Sequence, residues 1–232
     1  MKINGIDIRQ FGAKQLTVDE QPPRISVSYE MQTKALTPME FATDVPLGTL
    51  EVTLYFSAKN RAELQRAISS FTQLLKASCV IEEIKGYKGK YKGYLTSNST
   101  EKLIDLRKRT MSLSFDGYFY DDEKQSVFDG KTSGQIYADG SRETPCVVEI
   151  YAKSAISNYT VTLNGEEYKV EALEAGKTII IDGQAGKVTV NEENAFDLID
   201  MWTFPKLHTG YNDLEFSSTA AKVTISYFPM WL

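Results

Sequence analysis

Imidazole and thiol groups are scarce in this chain. It has one histidine, His208, and two cysteines, Cys79 and Cys146, among 232 residues. A zinc or iron centre needs about three or four such ligands close together, so neither a metal nor any other cofactor is expected. The two cysteines lie 67 positions apart, each in an apolar run, and make no disulfide framework. They read as reduced thiols in a core. No stretch approaches the ~20 apolar residues of a membrane span. The opening Met1-Lys2-Ile3-Asn4-Gly5-Ile6-Asp7 has no apolar signal-peptide core. A protein made in the cytoplasm, without contact to a membrane, is expected.

What is present is an ordinary globular composition, with 42% hydrophobic, 25% charged and 11% aromatic residues. The length suggests one or two domains of about 150 residues or fewer. The net charge of −5 is unevenly spread. Residues 1–125 carry 18 basic and 16 acidic side chains, whereas residues 126–232 carry 8 and 15. Such asymmetry predicts two domains with different surfaces. Gly130, Ser133, Gly134, Asp139, Gly140 and Ser141 fall where the charge changes, so residues 126–145 read as a linker between domain 1–125 and domain 146–232.

The first domain reads as a β-sandwich or sheet with one helix. Strand patterns occupy residues 3–8, 24–31, 50–56, 79–84, 91–96 and 110–119. Residues 24–31 alternate polar with apolar, the period of a half-buried strand. A helix is predicted over 60–76. Asn60 and Glu63 have capping-box spacing, and Leu64, Ala67, Ile68, Phe71, Leu74 and Leu75 form an apolar stripe. The second domain is nearly all β. Its strands run over 147–151, 159–163, 168–170, 178–181, 187–190, 214–217 and 222–227, with hairpin turns at Asn164-Gly165 and Asp182-Gly183. This spacing describes a β-sandwich. The fold class is mainly β.

No catalytic site is evident. A Ser-His-Asp triad would have to use His208, which sits in a loop-like run without a Gly-x-Ser-x-Gly elbow. The acidic pairs Glu82-Glu83, Glu166-Glu167 and Glu192-Glu193 are strand neighbours that point to opposite faces. The run Gly183 to Val188 lacks the spacing and the Ser/Thr of a phosphate loop. Lysines alternate with tyrosines in Lys85-Gly86-Tyr87-Lys88-Gly89-Lys90-Tyr91-Lys92-Gly93-Tyr94. Extended, this run sets Lys88, Lys90 and Lys92 on one face and Tyr87 and Tyr91 on the other. It reads as a solvated edge strand, as a protein contact, or as a nucleic-acid surface. The acidic whole argues against sequence-specific nucleic-acid binding. Trp202 and Trp231 have two readings: stacking on sugars, or partial burial in the core, the commoner fate of such a side chain.

The C-terminal run carries more. Trp202-Thr203-Phe204-Pro205-Lys206-Leu207-His208-Thr209-Gly210-Tyr211-Asn212 precedes a closing strand that ends in Phe228-Pro229-Met230-Trp231-Leu232. Within it Trp202, Phe204, Pro205, Leu207, Gly210 and Asn212 resemble the motif of the distal tail protein family of long, non-contractile-tailed phages. In that family a Phe-Pro-x-Leu…Gly-x-Asn segment leads into a last strand ending near Pro-x-Trp. The N-terminal order agrees: Asn4-Gly5, then Phe11-Gly12, a strand pair, the helix from Asn60, and strands to about Tyr120. The resemblance implies a structural, non-enzymatic hub in the virion tail tip. It implies a homo-hexameric ring of N-terminal domains that lets DNA pass, with galectin-like C-terminal β-sandwiches outside. The implied partners are the major tail tube protein, a tail-associated lysin or fibre-attachment protein, and in some phages a receptor-binding protein. A glycan-binding sandwich is the alternative. Lys88, Lys90, Tyr91 and Lys92, together with the extended segment 33–46, are the candidate inter-subunit contacts.

Overall fold

The computed structural model describes residues 1–75 and 78–231. The chain divides into two compact units, Met1–Tyr120 and Asp121–Trp231. The first carries 17 basic and 13 acidic residues and the second 9 and 18.

The first unit begins with β1 (Lys2–Ile3) and β2 (Ile6–Asp7). The expected single strand over 3–8 is instead this hairpin, because Asn4 and Gly5 both take positive φ, 51° and 77°, the geometry of a two-residue turn. Then come β3 (Ala13–Gln21), β4 (Ser26–Glu30), β5 (Met39–Asp44), β6 (Gly48–Ser57), helix α1 (Arg61–Thr72), β7 (Ser78–Glu82), β8 (Lys90–Lys102) and β9 (Lys108–Tyr120). One sheet runs in the order β2-β1-β7-β8-β9-β6-β3, while β4 and β5 pair only with each other. The unit is thus a sheet with a helix, not a two-sheet sandwich.

Alternation in β6 and β9 turns Leu50, Val52, Leu54, Phe56, Met111, Leu113, Phe115 and Phe119 to one face. Helix α1 covers that face. Asn60 caps it, accepting from the Glu63 amide at 2.9 Å and donating to the Glu63 carboxylate at 3.0 Å. The buried Phe71 ring meets Phe56 edge-on at 5.2 Å and Phe11 at 5.8 Å. Each such side chain gains roughly 1.5–3 kcal/mol on leaving water. After α1 the chain tightens into a 3-10 turn, Gln73–Leu75. The predicted helix end at Lys76 lies outside the described residues.

The second unit contains β10 (Lys124–Asp129), β11 (Ser133–Ala138), β12 (Thr144–Ala152), β13 (Ile156–Leu163), β14 (Glu166–Leu173), β15 (Thr178–Asp182), β16 (Lys187–Val190) and β17 (Glu193–Asn194). β18 (Ile199–Met201), β19 (Lys206–Leu207), β20 (Gly210–Phe216) and β21 (Ala221–Tyr227) follow. One sheet is ordered β10-β21-β12-β15-β16-β17, with β19 added to β12; the other is ordered β11-β20-β13-β14-β18. Val148, Ile150, Ile179, Ile181, Val223 and Ile225 from the first share one core with Val161, Leu163, Val170, Leu214 and Phe216 from the second. This is a β-sandwich. Both cysteines are buried thiols outside any disulfide, and burial pushes the Cys146 thiol up to about 12.

The expected linker, residues 126–145, is corrected by this topology. β10 lies along β21 from Lys124–Tyr227 to Asp129–Lys222, and β11 along β20 from Ser133–Glu215 to Ala138–Gly210. The segment supplies an outer strand to each sheet. Its apolar content is low because an outer strand turns few side chains inward, here Phe128, Ile136 and Ala138.

Candidate functional site

Three surfaces gather the residues singled out above. The first is the β4–β5 pair. Its strands are joined antiparallel, with an irregularity between Ser28 and Tyr29 that leaves Phe41 without an opposite residue. A turn at Gln32–Ala35, closed by a 3.0 Å amide-to-carbonyl bond, begins the connection. Every residue of both strands is exposed. The expected half-buried strand is therefore corrected: the alternation is real, but nothing covers its apolar side. Ile25, Val27, Tyr29, Met31, Leu36, Met39 and Phe41 all face solvent, Leu36 at 97% and Tyr29 at 66% of full exposure. An isolated two-stranded hairpin is at best marginally stable in water, and an apolar patch of this kind marks a surface that meets another molecule. This arm includes most of the 33–46 segment.

The second surface is the Lys/Tyr run. Lys88 is exposed in the loop before β8. Lys90 and Lys92 lie on β8, which is flanked by β7 and β9, so the edge-strand reading does not hold. Lys90 Nζ stands 3.8 Å from the Glu82 carboxylate. Tyr91 is no contact residue. It is 2% exposed, packs edge-on against Phe119 at 4.9 Å, and its hydroxyl donates toward the Phe115 and Gly48 carbonyls at 2.9 and 3.2 Å. Burial raises its pKa. The ring fits because residue 93 is glycine: a Cβ there would sit 2.5 Å from Tyr91 Cε1. Tyr87 also turns toward the core, stacking on Phe119 at 5.4 Å. Beyond this segment the β8–β9 hairpin ends in Leu103, Ile104 and Leu106, all exposed. Asp105 shapes that turn by accepting from Arg107, whose guanidinium holds its carboxyl down to about 2.

The third surface is the C-terminal motif, and most of it serves the fold. Pro205 is buried and Leu207 has no exposed surface. Thr144 and Pro145 of β12 face Leu207 and Lys206, and the Pro205 carbonyl accepts from the Cys146 amide at 3.1 Å. Phe204 packs against the sandwich core and lies 6.1 Å from Phe196. Gly210 takes φ +94°, which favours glycine. Asn212 is fully buried. Its Oδ1 accepts from the His208 amide at 2.8 Å and from Asn164 Nδ2 at 2.7 Å, and its Nδ2 donates to the His208 and Gly210 carbonyls. One side chain thus ties the 208–212 turn to the Asn164-Gly165 hairpin.

Trp202 is the exception. It is 94% exposed, which corrects its assignment to the core. Trp231 is partly exposed and donates from its indole to Asp121 at 3.0 Å. Tyr137 and Tyr211 pair edge-on at 5.0 Å on the outer face of β11 and β20. His208 is the expected loop histidine. Its Nδ1 lies 2.7 Å from Glu143, which also accepts from Lys206 at 2.6 Å. Those two contacts, that of Lys206 first, hold the Glu143 pKa below its ordinary value. Among the described residues no three or more His, Cys, Asp or Glu side chains gather as metal ligands would. No helix among them is long and apolar enough to cross a membrane.

Residues 139–231 match the family described as siphovirus-type tail component, C-terminal domain. No curated protein has a significantly similar sequence. Among solved structures, that of SPP1 Dit (gp 19.1), titled a paradigm of hub adsorption apparatus in Gram-positive infecting phages, superposes with TM-score 0.79 at 14% identity, over 100% of this chain and 98% of that one. Chains from the phage P2 baseplate in its activated conformation, with Ca and with Sr, give TM-score 0.52 at 10% and 11% identity, over 95% of this chain and 92% of theirs. Residues 139–231 thus carry a siphovirus-type tail component C-terminal domain, and the chain shares its fold along its whole length with SPP1 Dit.

Proposed function

We propose that this protein is a hub at the tip of a siphophage tail. Six copies close into a ring through their first units, continuing the tail tube and leaving an opening for DNA. The second units lie outside the ring. The hub joins the tail tube protein to a tail-associated lysin or fibre-attachment protein, and where the phage has one, to a receptor-binding protein. It acts by holding partners, without catalysis, in a virion assembled in the host cytoplasm.

The observation that carries this reading is the match in fold to SPP1 Dit, which spans 100% of this chain and 98% of that one. The exposed arm supports it, since a ring of identical copies needs a head-to-tail contact and the arm offers uncovered apolar side chains and strand edges for one. Lys88, Lys90 and Lys92 would contribute through their side chains rather than through a free strand edge. The test is native mass by light scattering at high concentration, with negative-stain microscopy, alone and with the tail tube protein. A six-membered ring with an open centre is expected. A chain that stays monomeric under both conditions overturns the ring.

A second reading is favoured by one observation, the exposure of Trp202. An indole in solvent beside a β-sandwich is a platform for a sugar ring, and binding on a glycan array that disappears in Trp202→Ala would establish it.

A further inference from the structure

One face of α1 carries Arg61, Leu64, Gln65 and Ile68, at the spacing of a single helical stripe. With Thr100 and Arg109 of the β8–β9 hairpin these residues line a pocket of about 240 Å³. Two guanidinium groups therefore share one concavity. Lys102, the cross-strand partner of Arg109, adds a third cation beside it. Among the described residues none of the three has an acidic partner. Arg9 and Arg107, by comparison, are paired with Asp7 and Asp105. Like charges placed opposite one another are destabilising, so this arrangement is relieved by an incoming anion. Arginine presents a fork that matches a carboxylate.

The chemistry of the pocket narrows the ligand. Leu64 is buried and Ile68 half-buried, so below the cations lies an apolar wall. A free inorganic anion would satisfy the guanidiniums and leave that wall wet. A carboxylate on an aliphatic stem satisfies both. The arm presents such a group. Glu40 is exposed, stands opposite Tyr29 across the ribbon, and lies between Met39 and Phe41. Among the described residues it has no ion-pair partner. We propose that the pocket between Arg61 and Arg109 receives the Glu40 side chain from the arm of a second copy of this chain, with Tyr29, its cross-strand partner on the same face of the ribbon, covering Leu64 and Ile68. The inference rests on the ring reading above and gives it a specific lock.

Charge exchange tests it. Arg109→Glu and Glu40→Arg are each expected to weaken self-association at least about tenfold, and the double variant Arg109→Glu/Glu40→Arg to recover most of the loss. Both positions are at or near solvent, so the thermal transition of each of the three variants should match that of the parent; this separates lost contact from lost fold. Tyr29→Ser/Phe41→Ser is measured alongside. If that variant fails to assemble while both charge reversals assemble normally, the pocket proposal is overturned and the arm-mediated ring stands. Assembly of all variants alike overturns both. Normal rings of Arg109→Glu that no longer enter tails would give the pocket to another tail protein and overturn the second-copy assignment.

Discussion

The arm and the β13–β14 hairpin are two antiparallel strand pairs with nearly the same pattern and different surroundings. Ser26-Val27-Ser28-Tyr29-Glu30 alternates as cleanly as Tyr159-Thr160-Val161-Thr162-Leu163. In β13 the apolar side faces a second sheet, and Val161 has no exposed surface. In the arm the same kind of side faces solvent, with Val27 at 44% exposure. A third element distinguishes them: β20 lies along β13, whereas among the described residues no strand lies along either edge of the arm. Alternation fixes which side chains share a face. What covers that face depends on topology, or on another molecule.

Opposite fates predict opposite responses to the same substitution. Val161→Asp buries an unpaired charge, and should cost about 4 kcal/mol or more, seen as loss of the cooperative urea transition of the second unit. Next comes Asn212→Ala. It strips partners from the Asn164 side chain and from buried backbone groups, at about 2–3 kcal/mol, and near-parental stability would show that the motif does not hold the fold through this side chain. Val27→Asp in the arm should shift the midpoint by no more than about 0.5 kcal/mol while reducing assembly by light scattering. A large shift would mean that the arm is covered within the isolated chain, which would erase the contrast. The smallest effect belongs to Glu143→Gln. Because the folded carboxyl is held below its unfolded pKa, its contribution is full at neutral pH and fades as pH falls through the folded value. The stability gap between parent and variant should therefore shrink on acidification, and a gap that widened would overturn the ion-pair account.

Several parts of the molecule were legible because local chemistry decided them. The Asn60 cap, the α1 stripe, the Asn164-Gly165 turn and the β6 and β9 alternation needed no knowledge of neighbours. The motif around Phe204-Pro205 pointed to the family, yet its residues act mainly as internal fastening. That distinction rests on Asn212, whose partners come from distant stretches of chain. Tyr91 was grouped with the lysines as a contact although its period sets it on the opposite face, and its burial there depends on β9 and on the space left by Gly93. Trp202 was misjudged in the other direction, since nothing in its neighbours reveals that the loop carries it outward. The pairing of Arg61 with Arg109 was invisible for the same reason: 48 positions of chain separate them, and only the return of the β8–β9 hairpin beside α1 brings them together.

The segment from 124 to 138 has a consequence for how the protein is made. Its two strands are the first of the second unit to leave the ribosome, yet their partners, β20 and β21, are the last major strands to do so. For the whole time it takes to synthesise about seventy further residues, a span read from the sequence, neither outer strand has a neighbour. Pairings between such distant stretches are slow to form and leave strand edges open meanwhile. Strands β1 to β9 and helix α1 of the first unit are all synthesised by Tyr120 and can begin to fold while translation continues. The second closes only at the end, so newly made chains pass through a period in which the first unit can fold and the second cannot.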